Sequence, residues 1–432
     1  MNRTTIVATI FCGFLFAVAC RSDPSNGRDR TGPLDGEVIF GDVVTYTGFG
    51  THRTASEGDL QTSSWLAEEL GSAGFEVELQ GWNLDQFVLE DCTVEVGDLE
   101  IECFPFWLPM SSAKGGVTAE VVRVSPEIGQ EKLEGRVAMM DAAAVGAGHF
   151  KLGVSEAILD SGAVGVVYVV ASDTGEVVAQ NAPPPFDTRP LPIPAVIVGQ
   201  KDEASLLSAA DNRDDIRLRI DGWLVEDAEA FNVVGRLERG PWWIVVSTPT
   251  SGWFECGGER GPGVAMWLAL ARWASRHHSD TSFLFVATSG HELEYMGAHA
   301  FADSRVAPPP DRVVTWLHLG ASIGTRLWER SADGWKPLLD RNPGNLVGSP
   351  EIVPILEAAF SEVPGLIPRD GESKGELRVV LENGYRAFGF YGGHPWFHTP
   401  RDAADSTEPA FLEPIARACA KALVAVEQEY AR

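Results

Sequence analysis

Apolar runs and a helical pattern alternate in the C-terminal half of the chain. Residues 242–247 and 282–287 are almost entirely apolar, as in strands that are buried on both faces of a sheet. Between them, apolar residues of the segment 263–277 recur at helical spacing. This order of strand, helix and strand predicts a mostly parallel sheet sandwiched by helices, which is the α/β class.

An amphipathic pattern in the N-terminal part predicts a helix over residues 60–72, and Gly74 ends it before a strand at 75–79. This helix and strand would have no partner without the later sheet. We therefore expect residues 37–112 and 229–432 to form one α/β domain.

The segment between these parts, residues 113–228, has a different character. It contains a short strand at 135–141, a glycine-punctuated apolar strand at 162–170, a proline-rich loop and a further apolar run at 195–198. The pattern predicts a small β-rich insert that interrupts the α/β domain.

Cys92 and Cys103 flank a predicted β-hairpin. Two segments that alternate apolar and acidic residues meet at Gly97-Asp98, which is typical of a two-residue turn. Pairing Val96 with Leu99 across this turn places Cys92 opposite Cys103. The two thiols are then close enough for a disulfide in an oxidising compartment.

The N-terminus predicts export and membrane anchoring. A charge at Arg3 precedes an apolar run shorter than the roughly 20 residues of a membrane-spanning helix, so residues 1–19 are predicted to be a signal peptide. The segment Ala17-Val18-Ala19-Cys20 resembles the bacterial lipobox, which implies a lipid on Cys20 and a location at the cell envelope. The alternative is an ordinary secretory cleavage site. Residues 20–36 are rich in Pro, Gly, Ser and charge and are predicted to be a flexible tether.

The balance of charges narrows the possible partners. Lys and Arg number 34 and Asp and Glu number 61, so the formal net charge is -27. A nucleic-acid-binding surface needs clustered basic residues, and this composition argues against one. It also disfavours broad binding to anionic lipid headgroups, so we expect contact with the membrane only through the lipid anchor.

Four segments that follow the predicted strands carry the candidate chemistry. Residues 245–251 end a strand with Thr-Pro-Thr-Ser, and residues 258–265 read Gly-Glu-Arg-Gly-Pro-Gly-Val-Ala. Residues 289–297 read Ser-Gly-His-Glu-Leu-Glu-Tyr-Met-Gly, and residues 397–402 read Phe-His-Thr-Pro-Arg-Asp. In this order they resemble metallopeptidase family 28, which includes aminopeptidase Y, glutamate carboxypeptidase and the glutaminyl cyclases. The insert at 113–228 is similar to the protease-associated domain that many members carry.

The resemblance implies a zinc-dependent hydrolase, but several ligand positions differ. A typical member holds two zinc ions and a bridging water, and a separate glutamate takes a proton from that water. Carried over by position, the first His ligand falls on Thr248 and a later Asp ligand on Gly320. The glutamate base falls on His291, whose unperturbed pKa of about 6.5 suits a base at neutral pH.

The family positions that keep metal-binding residues are Glu259, Glu292 and His398. Two carboxylates and one imidazole suit a three-ligand site for a single zinc ion with an open fourth position. The same positions serve the single-zinc glutaminyl cyclase branch. If the site is intact, the three side chains should surround a point about 2 Å from each, with His291 beside it.

Two functions remain open. In the first, the chain is an exported metallopeptidase-like hydrolase that holds one zinc ion and weakly hydrolyses or cyclises peptide N-termini. In the second, it is a catalytically inactive pseudoenzyme with the peptidase fold, which binds peptides or partner proteins at the cell envelope. His318 and His394 match no position of the family and are candidates for substitute ligands.

Overall fold

The computed structural model describes residues 32–112, 115–125, 133–146, 151–182, 190–332 and 334–431. The predicted signal peptide, Cys20 and most of the predicted tether lie outside the described residues. Among the helices of these ranges, none is both long enough and apolar enough to cross a membrane.

The elements alternate along much of the chain. The α-helices are α1 (Gly36–Gly48), α2 (Glu57–Ser72), α3 (Ala142–Val145), α4 (Glu156–Leu159), α5 (Glu203–Asn212), α6 (Gly261–Arg276), α7 (Met296–Asp303), α8 (Val353–Phe360), α9 (Glu376–Glu382) and α10 (Pro409–Tyr430). The strands are β1 (Glu76–Val96), β2 (Leu99–Pro105), β3 (Val117–Arg123), β4 (Val137–Met140), β5 (Gly165–Val170), β6 (Ala195–Gly199), β7 (Asp215–Leu237), β8 (Trp243–Pro249), β9 (Ser282–Thr288), β10 (Val313–Leu319), β11 (Arg326–Ser331), β12 (Gly334–Arg341), β13 (Asn345–Gly348), β14 (Pro368–Arg369) and β15 (Ala387–Tyr391).

A mostly parallel sheet forms the centre of the larger lobe. Strands β9, β8, β10 and β15 are parallel neighbours in that order. Strand β7 pairs antiparallel with β9 on one side, and β13 pairs antiparallel with β15 on the other. The predicted α/β class with a helix-covered, mostly parallel sheet is confirmed.

Both faces of this sheet are buried by helices. Ile244 and Phe285 pack into one core with apolar residues of α1, α2, α6, α8 and α10. Their chain neighbours Val245 and Leu284 pack into a second core on the opposite face, with residues of α7 and α9. Burial on both faces explains why the two strands are almost entirely apolar in sequence.

Two long strands connect the larger lobe to a β-rich lobe. Strands β1 and β7 run antiparallel along nearly their whole length, from Glu76 paired with Arg236 to Val96 paired with Ile216. In the β-rich lobe the strands are paired in the order β1, β2, β6, β5, β4, β3 and β7. Strand β7 also pairs with β1, so these strands form a closed ring of pairings. The division into domains and the protease-associated identity of the insert stay predictions. Strand β2 pairs with β6 of the β-rich lobe, so this lobe includes residues that precede the predicted boundary at residue 113.

The predicted hairpin is present at the turn between β1 and β2. Val96 pairs with Leu99 and Thr93 with Glu102, which is the predicted register. A disulfide joins Cys92 to Cys103, whose Cα atoms lie 5.4 Å apart.

Candidate functional site

A cavity of about 720 Å³ lies at the carboxyl ends of the parallel strands. His291 and Tyr295 reach it from the segment after β9, and His318 from the end of β10. Lys151 and Asn181 contribute from the β-rich segment of the chain. Carboxyl ends of parallel strands are the usual place for ligand sites in open α/β sheets, so this cavity is the candidate functional site.

An ion pair between neighbours in sequence occupies the floor of the site. Glu259 and Arg260 directly precede α6, and each side chain is 1% exposed. Nη2 of Arg260 lies 2.7 Å from Oε1 of Glu259, and Nε of Arg260 donates to the carbonyl of Ser251 at 3.0 Å. Burial opposes ionisation of Glu259, but the charges of Arg260 and His398 hold the pKa of its carboxyl well below the usual range.

His398 joins this pair from the segment after β15. Its Nε2 lies 3.2 Å from Oε1 of Glu259, and its Nδ1 lies 2.9 Å from the carbonyl oxygen of Ala179 in the β-rich lobe. His398 has a φ of 60°, in the left-handed region that is rare for residues other than glycine. Glu259 and His398 thus lie side by side, with a guanidinium beside them.

Glu292 has its own set of hydrogen-bond donors. Its Oε1 accepts hydrogen bonds from the backbone N–H and the hydroxyl of Thr54, at 2.8 and 2.5 Å, and its Oε2 accepts one from Ser251 at 2.7 Å. Burial lowers the pKa of the nearby Arg53 guanidinium to about 10, and the charge of Glu292 opposes this decrease. A carboxylate with three donors and a neighbouring cation is satisfied without a metal ion.

The expected convergence of Glu259, Glu292 and His398 on one point is therefore not found. Within the described ranges, no group of three or more His, Cys, Asp or Glu side chains is arranged to hold a metal ion. Thr248 stands where the resemblance places the first His ligand. Its hydroxyl donates to the carbonyl of Leu319 at 2.9 Å, which links the ends of β8 and β10. The residues present do not fit zinc, because a guanidinium already neutralises Glu259 and three donors already occupy Glu292.

His291, the predicted base, forms a pair that the sequence analysis did not include. Its Nδ1 lies 2.9 Å from Oε1 of Glu376, whose Oε2 accepts from the hydroxyl of Thr288 at 3.1 Å. Burial and the charge of Arg260 lower the pKa of His291, whereas Glu376 opposes that change. Burial opposes ionisation of Glu376 in turn, but its hydrogen bond with His291 lowers the pKa of the carboxyl. A neutral His291 that donates from Nδ1 keeps a lone pair on Nε2, and its role as a base stays a prediction.

The two unassigned histidines have hydroxyl partners. Nδ1 of His318 lies 2.9 Å from Oγ of Ser247, and burial lowers the pKa of His318 to about 4. Nδ1 of His394 lies 3.0 Å from Oγ of Ser322, and its Nε2 lies 2.9 Å from Oδ1 of Asp402. Both residues line the cavity, although the side chain of His394 is buried, and neither belongs to a metal-binding group among the described residues.

The sequence contains signals for the residues that were missed. Residues 320–324 read Gly-Ala-Ser-Ile-Gly directly after β10, a Gly-x-Ser-x-Gly pattern that the interpretation of Gly320 as a ligand position overlooked. Glu376 is the first residue of α9, directly after Gly375. Neither signal reveals its partner, because His394 is 72 residues from Ser322 and Glu376 is 85 residues from His291.

Solved structures share this architecture. No protein-family model matches the sequence, and no curated protein has detectable sequence similarity to it. An aminopeptidase from Aneurinibacillus sp. strain AM-1 superimposes with a TM-score of 0.64 at 18% identity, over 91% of this chain and 94% of that chain. BSAP, a zinc aminopeptidase from Bacillus subtilis, gives a TM-score of 0.69 at 14% identity, over 91% and 95% of the two chains.

A peptidase M28 precursor from Shewanella amazonensis SB2B gives a TM-score of 0.71 at 15% identity, over 90% of this chain and 93% of that chain. These matches define the class of structure as the zinc aminopeptidase fold. At such low identity the similarity concerns the fold, and the chemistry depends on the site residues.

Proposed function

We propose that this chain is an aminopeptidase-fold protein that binds the N-terminal end of a peptide in the cavity without a zinc ion. The observation that carries the proposal is the 2.7 Å contact between Arg260 and Glu259 on the floor of the site. A dication brought to Glu259 would meet the guanidinium beside its ligand atom. Like charges repel strongly where little water screens them. The guanidinium of Arg260 therefore takes the place of a metal cation beside Glu259 and opposes the binding of zinc there.

The walls of the cavity suit a peptide end. A volume of about 720 Å³ lies within the usual range of small-ligand sites. Glu376 lines the cavity as an ionised carboxylate and is suited to an α-ammonium group. The rings of Tyr295, Tyr391 and Phe397 offer apolar contact to a side chain.

Zinc titration followed by calorimetry tests the metal part of this proposal. Purified protein that has been treated with a chelator should show no saturable zinc binding, and the Glu259→Ala and His398→Ala variants should behave like the unchanged protein. One zinc ion bound per chain, and lost in both variants, would overturn the proposal and restore the single-zinc prediction.

Peptide titration tests the binding part. The tripeptide Leu-Gly-Gly should bind more tightly than its N-acetylated form, because acetylation removes the positive charge that faces Glu376. Glu376→Gln should reduce this preference, whereas Glu372→Gln, on an exposed residue four positions earlier, should leave it unchanged. Equal affinity for the two peptides, or no binding of either, would contradict the proposed function.

We also propose that the protein is held at the cell envelope by a lipid on Cys20. The support is the sequence alone, namely the charged start, the short apolar run and the Ala-Val-Ala-Cys ending. Cys20→Ala should release the protein from the membrane fraction or block its processing, and mass spectrometry should show the loss of the lipid. Unchanged membrane retention and mass would refute the anchor.

A further inference from the structure

Ser322, His394 and Asp402 form a chain of hydrogen bonds beside the cavity. Asp402 accepts from the backbone N–H groups of Gly258 and Glu259, at 2.7 and 2.9 Å. Its Oδ1 also lies 2.9 Å from Nε2 of His394, so the carboxylate accepts from Nε2–H of the imidazole. Nδ1 of His394 is then the acceptor of the Ser322 hydroxyl, at 3.0 Å.

The backbone at Ser322 has an unusual conformation. Ser322 has a φ of 58°, and it lies in the sequence Gly320–Gly324, immediately after β10. In the nucleophile elbow the Gly-x-Ser-x-Gly motif turns from a strand into a helix, whereas here it leads from β10 to β11. The feature in common is a serine with a strained backbone directly after a strand of the sheet. Here the turn follows a central strand whose carboxyl end borders the candidate site.

The wall of the cavity is thin beside this serine. Ala321, His394 and Gly392 all line the cavity, whereas Ser322 itself is 2% exposed. A Cβ atom at Gly392 would lie 3.6 Å from Cβ of Ser322. Gly392 therefore lies beside the serine at the cavity wall, where a side chain would fill the space next to Ser322.

We propose that Ser322 is the nucleophile of a metal-free acyl-transfer site, with His394 as general base and Asp402 as the carboxylate that orients it. The substrate class is an ester or amide whose acyl group lies in the cavity. Oγ of Ser322 forms a bond to the carbonyl carbon while its proton passes to Nδ1 of His394. The bond to the leaving alcohol or amine then breaks, and that group takes the proton from His394.

Water completes the cycle. It attacks the acyl carbon and gives its proton to Nδ1 of His394, the bond between the acyl carbon and Oγ breaks, and the proton returns to Ser322. A carboxylic acid is released, and Asp402 stays ionised throughout. This activity goes beyond the proposed binding function and does not depend on it, because the three residues do not contact Glu376 and meet Glu259 only through its backbone.

A fluorophosphonate probe tests the nucleophile directly. The full chain should gain the mass of one adduct, and peptide mapping of the labelled protein should place the adduct on Ser322 without the use of any variant. Ser322→Ala should abolish the adduct. Ser247→Ala is the matched control, because Ser247 also contacts an imidazole at 2.9 Å and should leave the labelling unchanged. No adduct, or an adduct on another residue, would overturn the proposal.

Hydrolysis of p-nitrophenyl acetate gives a second measurement. Ser322→Ala should lower the rate by about 100-fold or more, the usual contribution of a positioned acid–base group and its nucleophile. Gly392→Ala should lower both the rate and the labelling, because the added methyl group narrows the approach to Ser322. Hydrolysis that is the same in the unchanged protein and in Ser322→Ala would show that Ser322 is not the nucleophile.

Discussion

Nη2 of Arg260 and Oε1 of Glu259 lie 2.7 Å apart, and both side chains are almost completely removed from water. Neighbouring residues in a chain seldom face each other in regular structure, and here the pair lies in the turn that leads into α6. Asp402 holds the backbone of that turn through the N–H groups of Gly258 and Glu259. The loop geometry therefore directs a cation onto the carboxylate that the family resemblance assigned to a metal ion.

Replacing the guanidinium tests how much the fold depends on this pair. Arg260→Met leaves the buried Glu259 carboxylate without the neighbouring guanidinium charge. The free energy of unfolding should fall by about 3–5 kcal/mol, the usual cost of leaving one member of a buried ion pair uncompensated. Denaturant titration measures the change. The double variant Arg260→Met with Glu259→Gln should recover part of the loss, and a double variant as unstable as the single one would contradict this account.

Glu292 should behave as a structural residue. Glu292→Ala removes the acceptor of two hydrogen bonds from Thr54 and one from Ser251, and it leaves the Arg53 guanidinium without its neighbouring charge. We expect a loss of about 3 kcal/mol or more in the free energy of unfolding, because buried donors remain unsatisfied. The control is Glu294→Ala, which removes only a partly exposed ion pair with Lys151 and should cost about 1 kcal/mol or less. Equal effects of the two variants would count against a structural role for Glu292.

Local patterns in the sequence were enough to predict the central strands, α6 and the disulfide hairpin. Each of these depends on residues within one short segment, such as the alternation on either side of Gly97. The long strands β1 and β7 were not predicted at their full length. Residues 80–83 of β1, directly after the predicted strand at 75–79, are exposed or half-buried and lack the apolar alternation that marks a strand. They are held by pairing with β7, more than 130 residues away.

The sequence also predicted that the candidate residues follow strand ends, because strand ends can be found from apolar runs, and the cavity lies at this edge of the sheet. It could not predict which side chains would meet there. Thr54 reaches Glu292 across 238 positions, and His291 reaches Glu376 across 85. A family resemblance assigns a role to each position, but it does not reveal that Arg260 contacts the carboxylate next to it.

The environment of His291 predicts how it titrates. Burial and the Arg260 charge lower its pKa, and Glu376 raises it. In a proton NMR titration, His291 should therefore gain its proton below the usual value of about 6.5 for histidine. Glu376→Gln should lower the pKa of His291 further, since it removes the one neighbour that favours the imidazolium most strongly. A pKa that rises in this variant would contradict the assignment, and His278, whose side chain is outside the site, serves as the internal reference.

The disulfide should stabilise the β-rich lobe. Cys92 and Cys103 are separated by 11 positions in sequence. A cross-link that closes such a short loop restricts the unfolded chain and is worth about 2–3 kcal/mol. Replacing both residues with Ser should lower the free energy of unfolding by this amount, and a reductant should affect the unchanged protein but not the double variant. A reductant effect on the variant would point instead to the two other cysteines of the described chain, Cys256 and Cys419.

A buried carboxyl group next to the site should make the stability depend on pH. Burial raises the pKa of Asp59 to about 7 from its ordinary value of 3.8, against the hydrogen bonds that it accepts from Ala55 and Ser289. Between these two values the folded protein binds a proton that the unfolded chain releases. The stability that Asp59 contributes is therefore complete below about pH 4 and is lost as the pH rises through about 7.

Asp59→Asn cannot titrate, so it should gain stability relative to the unchanged protein between about pH 5 and pH 8, by a few kcal/mol at most. Denaturant titrations of both proteins across this range measure the difference, and a constant difference at all pH values would show that Asp59 does not change its charge there.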